Sequence, residues 1–408
     1  MKAGLRLKHV AKVDAGQSPP SPDVVPFDGE GMPFLQGNAE FGGQYPAAVH
    51  RCDSAPRIAE AGALLVSVRA PVGAVNIADQ QYGIGRGLAA ISPRAIHERY
   101  AYWLLLSSAG WLNSIATGST FTAISGRDLG DVSVPVTNEH EQRAIADYLD
   151  RETAQIDAFI AKNEELIILL TERRTVAVDR AIGWGSTSRE AKGDWLGRVP
   201  AGWSLAPLRR WTRFITSGSR GWGQFYSDAG SDIFLRIGDL QRDRLELRPV
   251  ERQRVELPVG EEGVRARTQT GDLLISITAD LGSVAVIEAP DAGAYVSQHV
   301  ALVRLDQERL NSRFGAYVVA SSAGKTHFEK AAYGGTKVQL SLPDVREMSI
   351  AVPPLDEQVR IVKHLDAVTD DVDTAIETAR KAIVLAGERR AALISAAVTG
   401  KIDVGVAA

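Results

Sequence analysis

Residues 323–326 carry the Gly-Lys-Thr triplet that ends a phosphate-binding loop. Such a loop has another glycine five positions earlier, and the backbone N–H groups between the two glycines hold the phosphates. Val319 stands at that earlier position, and the neighbouring residues have helical spacing rather than the pattern of a strand-to-helix turn. The sequence therefore argues against an ATP site in this segment.

Residues that commonly bind metals or act in catalysis are scattered. None of the seven histidines has the spacing of a metal-binding pair. Asp370, Asp371 and Asp373 are clustered, but on a helix they point in different directions. We expect no catalytic residue, no metal and no cofactor, which in a chain of 408 residues favours a binding protein over an enzyme.

Cysteine use and hydropathy predict where the protein works. The single cysteine, Cys52, excludes an internal disulfide and suits a reducing compartment. No window approaches 18 uncharged apolar residues, so we predict no membrane-spanning helix. We expect a cytoplasmic protein.

Arginine is concentrated in one section of the second half of the chain. Its planar guanidinium group makes paired hydrogen bonds to phosphate or to guanine. Acidic residues are interleaved after Asp239, so a solvated surface with local ion pairs is an equally good interpretation. The arginines concerned are Arg209, Arg210, Arg213, Arg220, Arg236, Arg242, Arg244, Arg248, Arg252 and Arg254.

A long internal repeat organises the whole chain. Glu141-Gln142 recurs as Glu357-Gln358, 216 residues later. Without any gap, the same offset matches further positions: Leu149-Asp150 with Leu365-Asp366, and Glu172-Arg173-Arg174 with Glu388-Arg389-Arg390. Such a period is too long for a solenoid and indicates two copies of a globular unit followed by a helical one.

Each copy ends in a stretch with the apolar spacing of a helix. The first begins near Asn138, a good capping residue, and the second begins after Pro353-Pro354. Each has about 40 residues, or about 60 Å of helix at roughly 1.5 Å per residue, which exceeds most single-domain surfaces.

Apolar residues spaced by four and three along both stretches predict a long antiparallel coiled coil. Phe159 and Leu166 are among the expected contacts of the first helix. The alternative is that each helix lies on its own domain as an ordinary amphipathic helix.

The predicted fold class is α+β, with two mixed α/β domains separated by two long helices and related by an internal pseudo-twofold repeat. We expect residues 1–137 to form the first domain and residues 138–182 the central helix. Residues 183–203, which are rich in glycine and serine, form a linker. Residues 204–353 form the second domain and residues 354–403 the C-terminal helix. Residues 313–330 have helical character within the second domain.

Three features of the chain occur in a characteristic order. The duplicated Glu-Gln and long helix follow Val134-Pro135 in the first copy and Val352-Pro353 in the second. A segment containing two tryptophans, residues 194–203, opens the second half. Gly-Ser-Thr at 118–120 and Gly-Gly-Thr-Lys at 334–337 precede the helices. Because these three features occur in this order and are duplicated, the chain resembles the specificity (S) subunit of type I restriction–modification systems over essentially its whole length.

The resemblance implies two target recognition domains, each reading one half of a split double-stranded DNA site. The paired helices would fix the gap between the half-sites and dock two methyltransferase (M) subunits, which motor–nuclease (R) subunits join. The chain itself would be non-catalytic and would need no membrane. The long helices carry a net charge of −6 and the remainder +2, so we expect modest DNA affinity from the chain alone.

Side-chain type and loop position indicate the candidate site residues. Polar and basic residues on loops can contact bases: in the first domain Gln36, Asn38, Arg69, Ser119, Thr120 and Arg127, and in the second Arg220, Arg236, Thr278, Thr336, Lys337 and Gln339. For each of these, a turn or capping role is the competing interpretation. The candidate partner-binding residues are Glu141, Gln142, Arg173, Arg174, Glu357, Gln358, Arg389 and Arg390. Glu and Gln at these positions can instead simply cap helix starts.

Two other functions remain compatible with the repeat. The main alternative is a coiled-coil scaffold carrying two modules that bind a ligand other than DNA, which salt-dependent duplex binding would distinguish. The second is an enzyme such as a nuclease, which would cleave DNA by itself in the presence of a metal.

Overall fold

A computed structural model describes residues 4–118, 122–183, 202–218, 220–256, 265–334 and 338–404. The chain divides into two compact units. Unit 1 comprises residues 1–164 and 380–408, and unit 2 comprises residues 165–379.

The described residues in the globular part of unit 1 form three sheets. Its strands are β1 Leu5–Arg6, β2 Ala11–Ala15, β3 Val25–Pro26, β4 Pro33–Leu35, β5 His50–Arg51, β6 Ile58–Ala59, β7 Leu64–Ser67, β8 Val75–Ile77, β9 Tyr82–Ile84, β10 Leu88–Pro93 and β11 Ser133–Val134. The sheet orders are β1-β11, β2-β10-β7-β8 and β3-β5-β4-β9-β6. All pairs are antiparallel except β4 with β9.

Three shorter helices complete this part of unit 1: α1 Leu7–Val10, α2 Glu98–Ile115 and α3 Gly126–Gly130. Helix α2 buries Tyr100, Leu104 and Leu105 in the same core as Leu64 and Val66 of β7. This core places the helix against one face of the four-stranded sheet, so the loops at the ends of its strands are held by a rigid scaffold.

The globular part of unit 2 repeats this plan. Its strands are β12 Ser204–Pro207, β13 Thr212–Ser217, β14 Asp232–Leu235, β15 Gln253–Val255, β16 Leu273–Ser276, β17 Val284–Val286, β18 Tyr295–Val296, β19 Val300–Leu305 and β20 Ser349–Val352. The sheet orders are β12-β20, β13-β19-β16-β17 and β15-β14-β18. Strand β14 is parallel to β18, as β4 is to β9.

The helical character of residues 313–330 resolves into two helices, α5 Ser312–Ala320 and α6 Ser322–Ala331. Ser321 between them is extended, with ψ at 167°, and its hydroxyl accepts a hydrogen bond from the Gly324 N–H. A serine that caps a new helix interrupts the preceding one. Helix α7, Leu342–Arg346, follows.

The two long helices are α4, Glu139–Ala181, and α8, Leu355–Val398. In unit 1, Ile145 and Leu149 of α4 share a core with Ile394 and Val398 of α8. The beginning of one helix therefore packs with the end of the other, and the halves are antiparallel.

In unit 2, Val178 near the end of α4 shares a core with Leu365 near the start of α8. The antiparallel pairing therefore recurs in this unit. Together with the two sheet-rich domains and the repeat, it confirms the predicted α+β class.

The contact positions of the helices differ from those expected. Phe159 and Leu166 are 48% and 44% exposed, so their places in the predicted core are wrong. The buried and half-buried positions alternate by four and three along a different stripe: Gln142, Ala146, Leu149, Thr153, Ile156, Ile160, Asn163, Ile167, Leu170, Arg174 and Val178. Adding 216 to each number gives the corresponding stripe of α8, from Gln358 to Ile394.

Within the described ranges, no helix combines the length and the hydrophobicity that crossing a bilayer requires.

Candidate nucleic-acid interface and partner-binding helices

Three loops meet at one end of the four-stranded sheet of unit 1. The Val68 N–H donates to Gly87 O at 2.9 Å, and the Ile124 N–H donates to Val68 O at 2.9 Å. The Ala70 N–H donates to Thr122 O at 3.0 Å. Backbone hydrogen bonds therefore fix the loop after β7 between the loop before β10 and the segment before α3.

The same bonds recur in unit 2. The Ile277 N–H donates to His299 O at 3.0 Å, and the Leu340 N–H donates to Ile277 O at 2.8 Å. The Ala279 N–H donates to Val338 O at 3.1 Å. Each unit therefore presents an equivalent set of hydrogen-bonded loops.

This arrangement brings some of the candidate DNA-binding residues together. Thr278 pairs with Gln339 through an antiparallel bridge, and Arg69 pairs in the same way with Ala123. Arg69 and Gln339 are exposed and Thr278 is half-buried. Ser119, Thr120, Thr336 and Lys337 lie outside the described residues.

Arg127 lies on the first turns of α3 and is exposed. Beside it, the Ser125 hydroxyl accepts from the Asp128 N–H, and Asp128 accepts from Ser125 N–H and Oγ–H. These hydrogen bonds lower the pKa of Asp128. Ser341 and Asp344 form the same capping box in unit 2.

The remaining candidates in the first domain lie after β4. Gln36 is exposed, and its Nε2 donates to Ser18 Oγ at 3.0 Å. Asn38 starts a short 3-10 helix, Asn38–Glu40, and is half-buried. Gln36 is therefore held by a neighbouring loop, whereas Asn38 is partly committed to local structure.

Arg236 follows β14 at the place that Gln36 occupies after β4. Its guanidinium lies 6.0 Å from the centre of the Tyr226 ring and donates to Gln253 Oε1 at 3.4 Å. Arg220 lies in a turn and is exposed.

Half of the arginines in the arginine-rich section form internal ion pairs. Arg213 lies 2.8 Å from Asp306, and Arg209 pairs with Glu347. Arg242, Arg244 and Arg252 also pair with carboxylates. Arg254 donates to a backbone carbonyl. The interpretation as a surface with local ion pairs therefore accounts for five of the ten arginines in this section.

Gln142 and Gln358 fasten the long helices to the globular parts. Gln142 is 7% exposed, and its Oε1 accepts from the His97 N–H at 2.7 Å. Gln358 is fully buried, and its Oε1 accepts from the Asn311 N–H at 2.8 Å. Because both side chains are buried and make their hydrogen bonds within the protein, we do not propose either glutamine as a partner-binding residue.

Gln358 has two further hydrogen bonds. Its Nε2 donates to Pro353 O at 2.8 Å and to Arg309 O at 3.1 Å. The glutamine thus fixes the start of α8 to the loop before α5 and to the end of β20.

The two glutamates of the Glu-Gln pairs have different surroundings. Glu141 is half-buried at the helix start and forms a capping pair with Asn138, with its N–H donating to Asn138 Oδ1 at 2.8 Å. Glu357 Oε1 accepts from Trp203 Nε1 at 3.4 Å. Helix capping, the alternative to partner binding that the sequence offered, therefore explains the position of Glu141.

A second fastening point was missed from the sequence. Asp150 on α4 accepts from Arg99 Nε at 3.1 Å and from Trp103 Nε1 at 2.9 Å. The repeat paired Asp150 with Asp366 but did not indicate partners more than 40 residues away.

In unit 2, Asp366 accepts from Arg313 Nε at 2.6 Å and from the Tyr317 hydroxyl at 2.7 Å. Burial raises the pKa of Tyr317 and keeps its phenol protonated as a donor. The carboxylate thereby fixes α8 to α5.

Within each Arg-Arg pair the two side chains have different roles. Arg174 lies 2.9 Å from Asp373, and Arg390 lies 2.9 Å from Asp157, so both join the two long helices. Arg173 and Arg389 are exposed. Burial raises the pKa of Asp373 although Arg174 and Arg244 act in the opposite direction.

The Gly-Lys-Thr triplet at residues 324–326 lies inside the first turns of α6, after the Ser321 cap. A Cβ atom at Gly324 would lie 2.2 Å from Val319 O, so this glycine serves close packing between two helices. In the described ranges, no group of three histidine, cysteine or acidic residues has the geometry to hold a metal ion.

Comparison with known proteins identifies the family. The family model described as "Type I restriction modification DNA specificity domain" matches residues 5–167 and 261–385. The chain is 39% identical over 137 residues to the putative type I restriction enzyme MjaX specificity subunit of Methanocaldococcus jannaschii, covering 33% of this chain and 32% of that one. It is 22% identical over 301 residues to the type I restriction enzyme EcoBI specificity subunit of Escherichia coli, covering 69% of this chain and 62% of that one.

The alignments thus span less than two thirds of either curated relative. A solved structure concerned with complex assembly and conformational transition of the type I R-M system contains a chain with the same fold. The TM-score is 0.70 at 17% identity, covering 98% of this chain and 97% of the other. Since the family model matches well over half of the sequence, this chain belongs to the family of type I restriction–modification specificity subunits.

Proposed function

We propose that this chain reads a split double-stranded DNA site, with one half-site bound by the globular part of each unit. The observation that carries the proposal is the duplicated set of loops at the sheet ends. The backbone hydrogen bonds around Val68 and Ile277 are equivalent, whereas the side chains differ, as Arg69 and Thr278 illustrate. Loops on a shared scaffold with different polar side chains suit two different short sequences.

The long helices would set the gap between the half-sites. Gln142 and Asp150 fasten α4 to the globular part of unit 1, and Gln358 and Asp366 fasten α8 to that of unit 2. A helix fastened at its first turns by buried hydrogen bonds transmits a fixed geometry to the loops. The half-sites should therefore lie several base pairs apart at a constant distance.

The exposed faces of the same helices would bind two copies of the methyltransferase subunit. Leu169 and Leu385 are 54% and 64% exposed, and each follows another exposed apolar residue, Ile168 or Val384. The repeat offset of 216 relates the two patches. Equivalent apolar patches suit two copies of one partner.

Exposed arginines lie close to both patches. Arg173 and Arg389 stand one helical turn beyond Leu169 and Leu385, on the same face. We therefore propose Arg173 and Arg389 as polar neighbours of the apolar contacts. Arg174 and Arg390 serve the pairing of the helices instead.

Catalysis would belong to the partners. We propose that methyl transfer is carried out by the methyltransferase subunits and DNA translocation and cleavage by motor–nuclease subunits that join them in the cytoplasm. The chain itself would be a non-catalytic reader.

Duplex binding at several salt concentrations tests the proposal. The chain bound to its methyltransferase should bind cognate duplex with an affinity that falls steeply as salt rises, because phosphate contacts release counterions. Lys337→Ala should weaken binding and make the slope of log K against log salt shallower by about one. Binding that does not depend on salt would favour the scaffold that binds another ligand.

A further inference from the structure

A compact loop cluster lies at one end of the four-stranded sheet of unit 1, beside the loops described above. Ser18 follows β2, Gln36 follows β4, and Arg86 lies between β9 and β10. Ser18 Oγ accepts from Gln36 Nε2 at 3.0 Å and from the Arg86 N–H at 3.4 Å. One hydroxyl therefore links the three positions.

Glycines hold this cluster rigidly. A Cβ atom at Gly85 would lie 2.6 Å from Gln36 Oε1, and one at Gly87 would lie 2.5 Å from Gln36 O. At Gly16 it would lie 2.2 Å from Gly85 O. The loops therefore approach each other more closely than side-chain-bearing residues allow, and the backbone around Arg86 has little freedom.

Arg86 itself is exposed at the tip of this cluster. Among the described residues, no carboxylate pairs with its guanidinium. An exposed, unpaired arginine on a fixed backbone can give paired hydrogen bonds to another molecule. The sequence alone indicates no role for this residue.

Unit 2 contains the same cluster. Leu235 pairs in parallel with Val296 as Leu35 pairs with Ile84. The Ser297 N–H donates to Leu235 O at 2.9 Å, and the Gly218 N–H donates to Ser297 O at 3.3 Å. The loops after β13 and β14 and the loop before β19 therefore meet as their counterparts do in unit 1.

The strand registers give the equivalent positions. Ala15 pairs with Ala89, and Ser217 pairs with Ala301. Counting three residues outward from each member of these pairs gives two of the three sets of equivalent positions, and the residue after Leu35 or Leu235 gives the third. The equivalent side chains are Ser18 and Arg220, Gln36 and Arg236, and Arg86 and Gln298. The scaffold is kept while all three side chains differ.

We propose that these three positions in each unit determine the base sequence of its half-site. The inference rests on the proposed function and adds Ser18, Arg86 and Gln298 to the DNA-contacting residues. Arginine gives paired hydrogen bonds to guanine, and glutamine gives them to adenine. Arg86 would therefore read guanine in the half-site of unit 1, and Gln298 would read adenine in that of unit 2.

A feature of Gln298 is consistent with this role. Its Nε2 lies 3.1 Å from His299 Nε2, while its Oε1 is buried without a hydrogen-bond donor among the described residues. A buried acceptor that lacks a donor costs free energy, so a base amino group reached through a rotamer change would relieve that cost.

Selection from duplex pools tests the inference. The chain in complex with its methyltransferase is incubated at low salt with duplexes in which one half-site is randomised, and the bound sequences are read. Arg86→Ala should abolish the preference at one base pair of the unit 1 half-site, where the unmodified complex discriminates roughly tenfold or more. Arg86→Gln should change that preference towards adenine.

Matched controls exist at the other ends of the same strands. Arg94 and Gln307 are exposed residues beyond the far ends of β10 and β19. Arg94→Ala, the control for Arg86→Ala, should leave every base preference intact. Gln307→Ala, the control for Gln298→Ala, should do the same.

The outcomes separate the inference from the proposed function. If Arg86→Ala weakens binding uniformly or not at all and keeps every base preference, Arg86 does not read a base and the inference is wrong. If the unmodified complex selects no sequence in either half-site, the proposed function fails instead.

Discussion

Arg174 of the first long helix lies 2.9 Å from Asp373 of the second, and their side chains are only 13% and 14% exposed. The equivalent pair, Arg390 and Asp157, has the same separation, but its side chains are 30% and 53% exposed. The repeat offset of 216 converts one pair into the other. The duplication thus preserves the contact between the helices while its burial differs between the units.

This difference predicts unequal losses of stability. Arg174→Ala should lower the free energy of unfolding of unit 2 by about 1–3 kcal/mol, because Asp373 would remain largely buried with Arg244 as its remaining ion-pair partner among the described residues. Arg390→Ala should cost about 0–1 kcal/mol in unit 1. Urea denaturation, monitored by hydrogen exchange of the backbone amides along both helices, measures the two losses of stability.

The exposed neighbour Arg173 supplies the control for this comparison. Arg173→Ala should change stability by less than about 0.5 kcal/mol. Equal effects of the Arg174 and Arg390 substitutions would show that burial does not govern these pairs.

The buried glutamines should contribute more to stability than the capping glutamate. Gln358→Ala removes three hydrogen bonds and leaves Asn311 N–H and Pro353 O without a partner, so we expect a loss of about 2–4 kcal/mol. Glu141→Ala removes an exposed capping interaction and should cost about 1 kcal/mol or less. Thermal or urea unfolding of the purified variants gives both values, and a larger loss for Glu141→Ala would contradict the fastening role.

The capping box of α3 predicts a pH dependence. The Ser125 hydroxyl and N–H lower the pKa of Asp128, so its ionised form is favoured in the folded state. This contribution to stability is present above the unfolded pKa of about 3.9 and is lost as the pH falls through the lower folded value. Ser125→Ala should raise the pKa of Asp128, as carbon-13 NMR of the carboxyl groups would show, whereas Ser125→Thr should leave it lowered.

The apolar patches on the helices predict the number of bound methyltransferases. Leu169→Asp should reduce the complex from two methyltransferase subunits to one, because a charge would be buried at that interface. Leu169→Asp combined with Leu385→Asp should abolish assembly. Mass measurement of the assembled complex gives the number of subunits.

Ala161→Asp introduces the same charge at another exposed position of the same helix and is the control. Unchanged assembly of the Leu169→Asp, Leu385→Asp double variant would show that the methyltransferases bind elsewhere.

The two-domain α+β architecture and the long helices follow from the repeat, because an ungapped offset survives only where the same packing is kept in both copies. The stripe of contacts was harder to predict. It includes Thr153, Asn163 and Arg174, and counting only apolar residues selects exposed Phe159 and Leu166 instead. Applying the offset to Asn163 and Arg174 gives Ala379 and Arg390, so the repeat contained a signal for the correct stripe.

The candidate site was predicted only in part. Residue type suggested that Gln142 and Gln358 face a partner, but their contacts are with backbone groups distant in the sequence, which no local pattern reveals. Arg86 was overlooked because nothing in its local sequence distinguishes it from other arginines in loops. Its importance appears only when Ser18 and Gln36 are brought beside it.

Genome-wide mapping of methylated DNA tests most directly whether each unit reads its own half of a split site. Cells that carry this chain with its methyltransferase should show one motif made of two short specified half-sites separated by an unspecified gap of constant length. In the Thr278→Val, Gln339→Ala variant only one half-site should change. A continuous motif, a change in both half-sites, or methylation that does not depend on this chain would contradict the account.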